Sequence, residues 1–161
     1  MLVLTFQVGS DRLALDVRRV REIVPCVRLQ PVACRPPWLA GIFIYRGQVV
    51  PVIDLHRLLG VGECPVHLST RIILVPHTFD HQERLVGLLA AKVADVREMQ
   101  PASATPTNVT PQSELGNEPI RPDLGLVLVD GQEILHLVEL ERLLPDSYNG
   151  KLALITRESP A

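Results

Sequence analysis

The chain has 161 residues, with 16 basic and 18 acidic side chains and a formal net charge of −2. That length suits one domain or two small subdomains, and charge spread this evenly excludes the basic stripe of a nucleic-acid binder. Hydrophobic residues make up 47 % and aromatics only 4 %, so the core is aliphatic, and its Val and Ile content favours strands.

The longest apolar stretch, Trp38 to Tyr45, is far too short to span a bilayer, so no direct membrane insertion is expected. The N-terminus has Gln7, Asp11 and Arg12 in place of a long apolar core, so no secretory signal is expected. Three cysteines, Cys26, Cys34 and Cys64, form no paired framework. They point to free thiols and a cytoplasmic location.

In chain order, Leu2 to Val8 and Leu13 to Val17 alternate around Gly9-Ser10-Asp11 and read as a β-hairpin. Pro25, Pro31, Pro36 and Pro37 exclude a long helix from the next stretch. Gly41 to Tyr45 and Val49 to Ile53 form a second hairpin around Arg46-Gly47-Gln48, and Pro51 suggests an edge or a bulge. Asp54 is placed to cap a short helical turn, Leu55 to Leu59, that Gly60 ends. Arg71 to Val75 and Leu85 to Ala90 pair across a polar loop from His77 to Arg84, and Val93 to Met99 closes that unit.

Gln100 to Asp123 is polar, without apolar periodicity, and long for a loop inside a small domain. Leu126 to Val129 and Glu133 to Val138 flank Asp130-Gly131, a strong hairpin signal. Leu140 to Leu144 is a helical turn stopped by Pro145. The chain from Ser147 onward is expected to fray, although Leu152 to Ile155 is apolar enough to dock.

Two segments repeat. Ile53-Asp54-Leu55-His56-Arg57-Leu58-Leu59 returns as Val138-Glu139-Leu140-Glu141-Arg142-Leu143-Leu144, and Val20-Arg21-Glu22-Ile23 returns as Val96-Arg97-Glu98-Met99. The order is the same in both halves: a hairpin, a V-R-E turn, another hairpin, a capped helical turn. Each half is too small for an open sheet without vulnerable edges, so two small barrels are expected.

Candidate reactive residues are few. Cys64, His67, His77 and His81 make a nominal zinc set, but Pro65 and an intervening strand would hold its two halves roughly 15 Å apart at ~3.3 Å per residue. Asp54 and His56 resemble an acid–base pair, yet no nucleophile motif accompanies them and the repeat replaces them with Glu139 and Glu141. Gly41 and Gly47 form no phosphate-binding fingerprint. Cys26 and Cys34 read as small apolar residues. Arg46, at a hairpin tip near Val20 and Val49, reads equally as a solvated turn residue or as an interface anchor.

The opening F-Q-V-G-S-D-R-L-A-L-D-V-R-R-V-R-E-I-V and the following W-L-A-G-I-F-I-Y-R-G-Q-V-V-P-V-I-D-L-H-R-L-L-G resemble the CheW family. Gly41, Arg46, Gly47, Pro51, Asp54 and Leu55 match its pattern, and the later L-V-G-L-L, V-A-D-V and D-G-Q-E-I-L-H-L-V-E-L-E-R-L-L resemble its second half. The chain departs from that pattern at Ala91-Lys92, where an acidic pair is usual, and at Ile44-Tyr45, where Asn-Leu is usual.

The resemblance implies a mainly β fold of two SH3-like five-stranded β-barrel subdomains packed around a shared hydrophobic core, with short helical turns. It implies one domain over residues 1–146, divided near 14–70 and 71–146 with strands exchanged at the termini, and a tail at 147–161. It implies an adaptor with no catalytic residues, no cofactor and no metal. Its partners would be the regulatory domain of a CheA-type histidine kinase and the cytoplasmic tip of a methyl-accepting chemoreceptor. Receptor-facing positions fall on Val20, Glu22, Arg46 and Val49, and kinase-facing positions on Leu29 and Gly41. A pathway-specific adaptor for surface sensing, pilus motility or development, a scaffold that binds only the kinase, and a metalloprotein are the alternatives.

Overall fold

In the computed structural model, residues 1–33, 35–101, 124–144 and 146–158 are described. The expected roles of Cys34 and Pro145, and the polar segment over residues 102–123, lie outside them. The strands are β1 (Leu2–Val8), β2 (Asp11–Asp16), β3 (Glu22–Pro25), β4 (Leu39–Tyr45), β5 (Gln48–Asp54), β6 (Arg71–Phe79), β7 (Gln82–Ala90), β8 (Val96–Glu98), β9 (Gln100–Pro101), β10 (Leu124–Asp130) and β11 (Glu133–Val138). The helices are α1 (Leu55–Leu58), α2 (Leu140–Leu143) and α3 (Asp146–Glu158).

The strands form two curled sheets, each the wall of an SH3-like subdomain. The terminal sheet has the order β8-β1-β2-β11-β10-β9, and the central sheet has the order β3-β6-β7-β5-β4. Apart from the two-residue β9 the orders correspond strand for strand. Each contains one parallel contact, β2 with β11 and β7 with β5. The repeat seen in the sequence is therefore structural, and its leading hairpins are exchanged. The first hairpin, β1–β2, completes the sheet built from β8, β10 and β11. The leading hairpin of the second repeat, β6–β7, completes the sheet built from β3, β4 and β5. The central sheet thus runs past residue 70 through both β6 and β7.

Period-two alternation sorts side chains between three cores. In β6, Ile72 and Leu74 point into the central barrel, while Ile73 and Val75 face the core shared between the sheets. In β2, Ala14 faces the terminal barrel, whereas Leu13 and Leu15 face the shared core. Strands buried on both faces read as continuous apolar runs, which explains segments such as R-I-I-L-V.

Four local expectations are corrected. The second V-R-E segment is the edge strand β8 rather than a turn, while the first leaves a 3-10 turn at Val20 and enters the edge strand β3 at Glu22. The supposed loop from His77 to Arg84 is strand: β6 and β7 pair through Phe79↔Gln82, leaving a two-residue turn at Asp80 and His81 with φ of 57° and 59°. Asp and His tolerate this left-handed conformation better than most residues.

Pro51 lies on an interior strand rather than an edge, and the other expectation, a bulge, is met beside it: the β4–β5 register shifts between Leu39 and Gly41, opposite Ile53 and Val52. The partner of Pro51, Ile42, donates its N–H to Gln30 O and accepts from the Gln30 N–H, so Ile42↔Pro51 needs no proline N–H, and pairing with β7 starts at Val52. Finally, the segment expected to fray forms α3 and packs against β5 and β6. Leu152, Ala153 and Ile155 are buried in the shared core, and Tyr148 stacks on Trp38 with ring centroids 5.0 Å apart.

Candidate protein-interaction surface

After β2, Asp16 caps a single 3-10 turn by accepting a hydrogen bond from the Arg18 N–H at 3.0 Å. Arg18 binds the same carboxylate through its side chain, which holds Asp16 below its ordinary pKa. The turn closes with the Val20 N–H donating to Val17 O at 3.1 Å. The Arg21 N–H then donates to Leu74 O at 2.7 Å, which sets the register of β3 on β6.

In the central sheet β3 and β4 are the two outermost strands, and the curl brings them face to face. At one end Arg46 Nη2 lies 3.9 Å from Glu22 Oε2. Further along, Val24, Val27, Arg28 and Gln30 face Phe43, Ile44 and Tyr45 across a groove of about 450 Å³. Backbone hydrogen bonds between Gln30 and Ile42, at 2.8 and 2.9 Å, span the gap. The barrel is thus joined by a side-chain contact and one bridge, with an open seam between them.

Arg46 and Gly47 form the β4–β5 turn, with φ of 49° and 80°. These values match the primed turns that join twisted strands. The turn lifts Arg46 clear of the barrel: its side chain is 78 % exposed and its guanidinium sits 5.2 Å from the Tyr45 ring centroid. Ile44 is exposed beside it and pairs with half-buried Val49. Val20 and Val49 both lean on the shared core from different elements.

Among the expected receptor positions, the fold therefore brings Glu22 and Arg46 together and anchors Val20 and Val49 in one core. The two expected kinase positions also meet. A Cβ added at Gly41 would lie 2.8 Å from Leu29 Cβ and 2.8 Å from Gln30 O. Gly41 is buried, so it acts by letting the Leu29–Gln30 segment pass close, while Leu29 packs half-buried against the central barrel core.

Sequence reasoning missed Ile23, Val27 and Ile44, which are all exposed apolar residues on this face. For Ile23 and Ile44 the available signal was alternation along E-I-V-P and G-I-F-I-Y, where Val24, Phe43 and Tyr45 lean half-buried on the barrel core and their neighbours face the other way.

The nominal zinc set does not gather. His77 is buried in β6 with Nε2 2.8 Å from Asn149 Oδ1, His81 is in the hairpin turn and His67 is exposed. Asp54 caps α1, with Oδ1 accepting from the N–H groups of His56 (2.9 Å) and Arg57 (3.4 Å), and Oδ2 accepting from Cys64 N–H (3.1 Å). Burial pushes the Cys64 thiol up to about 12, so at neutral pH it is not a nucleophile. Burial also lowers His56, against the opposing pull of Asp54. In the second repeat Glu139 occupies the cap position without a side-chain cap bond, and pairs with Arg142 at 2.9 Å instead.

Comparison with known proteins agrees with this architecture. CheW from Treponema pallidum (strain Nichols) is 26 % identical over 94 residues, covering 58 % of this chain and 55 % of that protein. FrzA of Myxococcus xanthus is 29 % identical over 141 residues, covering 86 % of this chain and 82 % of FrzA. The scaffolding protein TtCheW from Thermoanaerobacter tengcongensis has the same fold, with a TM-score of 0.69 over 91 % of this chain and 89 % of that one, at 20 % identity. The CheW-like domain model matches residues 2–147, and the chain belongs to the CheW-like domain family.

Proposed function

We propose that the protein is a non-catalytic cytoplasmic adaptor that couples the tip of a methyl-accepting chemoreceptor to the regulatory domain of a CheA-type histidine kinase. The observation that carries this reading is the Arg46–Glu22 contact at the mouth of the open seam, flanked by exposed Ile44 and anchored by Val20 and Val49. An arginine rimmed by aliphatic side chains suits a helical tip that presents apolar anchors with polar neighbours. Leu29 and the seam behind Gly41 form the kinase-facing side. Individually weak contacts gain strength when many copies are arrayed, through effective concentration.

The absence, among the described residues, of a helix long and apolar enough to cross a membrane is compatible with a peripheral role. Binding of the purified protein to a receptor signalling tip and, separately, to a kinase regulatory domain tests the proposal. Failure to bind either one ends it.

The similarity to FrzA favours a second reading, an adaptor dedicated to a pathway other than swimming chemotaxis. Identifying the kinase that co-purifies with the protein from its own cells separates the two readings.

A further inference from the structure

The cap of α1 contains more than a cap requires. Its counterpart at α2 begins a helix of the same length with Glu139 and exposed Glu141, so the repeated scaffold does not need a buried histidine at this place. His56 is nevertheless 5 % exposed, and its Nδ1 makes no hydrogen bond while facing Asp54 Oδ1 at 3.9 Å. A buried polar nitrogen without a partner is costly. Cys64 Sγ completes the group: one ligand atom each from Asp54, His56 and Cys64 lies within 4.8 Å of the others, and all three residues are buried.

We infer that Asp54, His56 and Cys64 form a binding site for one zinc-class divalent cation. Tetrahedral zinc, with bonds of about 2.0–2.3 Å, needs ligand atoms about 3.3–3.8 Å apart, so the site closes by about 1 Å. Each Asp54 oxygen has two lone-pair positions, and Oδ2 takes only the Cys64 N–H as a hydrogen bond within the cap. A mixed O, N and S set selects zinc or cobalt(II) over magnesium or calcium.

A carboxylate and a thiolate together neutralise a doubly charged ion, so the filled site buries no net charge. Binding breaks the Cys64 S–H bond, forms a metal–sulfur bond and releases one proton to solvent. Among the facing groups, Arg57 Nε lies 3.5 Å from Asp54 Oδ2 and opposes a cation, while Glu63, 2.7 Å from Arg57 Nη2, offsets it. Cys26 also acts on the Cys64 thiol through space. The coil over residues 61–69 provides the way in, since it carries Cys64 between α1 and β6 with Val66 82 % and Leu68 96 % exposed.

Cobalt(II) titration of the metal-stripped, untagged full-length chain tests the site. The expected result is one equivalent bound, with a sulfur-to-cobalt charge-transfer band, tetrahedral visible bands and displacement by zinc. The apparent affinity should rise about tenfold per pH unit near neutrality. Cys64→Ala should abolish the charge-transfer band, His56→Gln should weaken binding at least tenfold, and Cys26→Ala should leave the spectrum unchanged. A wild-type chain that shows neither the band nor a zinc-dependent rise in Tm overturns the inference. So does a band that survives Cys64→Ala or vanishes in Cys26→Ala. The wild-type and Cys26→Ala measurements decide the matter even if the other two variants unfold.

Discussion

Tyr148 of α3 stacks on Trp38, five ångströms between ring centroids, and ties the C-terminal helix to the segment that leads into β4. Trp38 O in turn accepts from the Asp54 N–H at 2.9 Å, so the helix is coupled to the start of α1 as well. Leu152 is fully buried beneath it. Leu152→Ala should cost about 2–5 kcal/mol, and Tyr148→Ala should remove at least the roughly 0.5–1.5 kcal/mol of an aromatic pair. Urea unfolding midpoints check both. A chain ending at residue 146 should bind a hydrophobic dye, because its shared core is uncovered.

Arg46→Glu should weaken binding to a receptor tip by at least about tenfold, or 1.4 kcal/mol, and place a like charge beside Glu22. An ion pair as exposed as Arg46 contributes only about 0–1 kcal/mol to folding, so the melting temperature should barely move. Val20→Asp should also weaken receptor binding, with a larger loss of stability because Val20 leans on the shared core. Titration calorimetry paired with thermal melts separates the two. Unchanged receptor affinity in both variants would remove the receptor site from this face.

Gly41→Ala should behave differently. The new methyl group meets the Gln30 carbonyl and Leu29 Cβ, neither of which is the free end of a side chain. Overpacking of this kind costs about 1–3 kcal/mol and disturbs the Gln30–Ile42 bridge. Loss of kinase-domain binding should accompany the loss of stability, whereas Leu29→Asp should reduce binding further than its melting temperature explains.

In the metal-stripped protein, acid should destabilise the fold through His56. Burial holds its folded pKa below the ordinary 6.5, so the neutral form is favoured in the native state. Between those two values the unfolded chain binds the proton and the folded chain does not, so stability falls as pH drops below about 6.5. Asp16 and Glu141, both lowered chiefly by hydrogen bonds from Arg18 and Arg19, keep their stabilising effect until the pH falls through the carboxylate range. His56→Leu should flatten the stability profile above pH 5 and leave the carboxylate portion in place. Urea midpoints from pH 5 to 8 measure the difference.

The sequence by itself determined most of the strands, the Arg46-Gly47 and Asp130-Gly131 turns and the duplication, because these depend on neighbours along the chain. Alternating Val, Leu and Ile, the Arg46-Gly47 and Asp130-Gly131 turns and the Asp54 cap announce themselves within a few residues. The family motif carried Arg46 and Glu22 into one candidate site. The resemblance implied strands exchanged at the termini, but only the tertiary structure decided which hairpins change places and where they pair, because a strand's pattern reveals its buried faces but not which distant strand pairs with it. It also decided that residues 146–158 form a helix. Gly150, Asn149 and Thr156 disfavour one locally, and burial of Tyr148, Leu152 and Ile155, spaced i, i+4 and i+7, outweighs them. Likewise, Asp54, His56 and Cys64 converge because the coil after α1 folds back on its own cap, a closure that no local periodicity encodes.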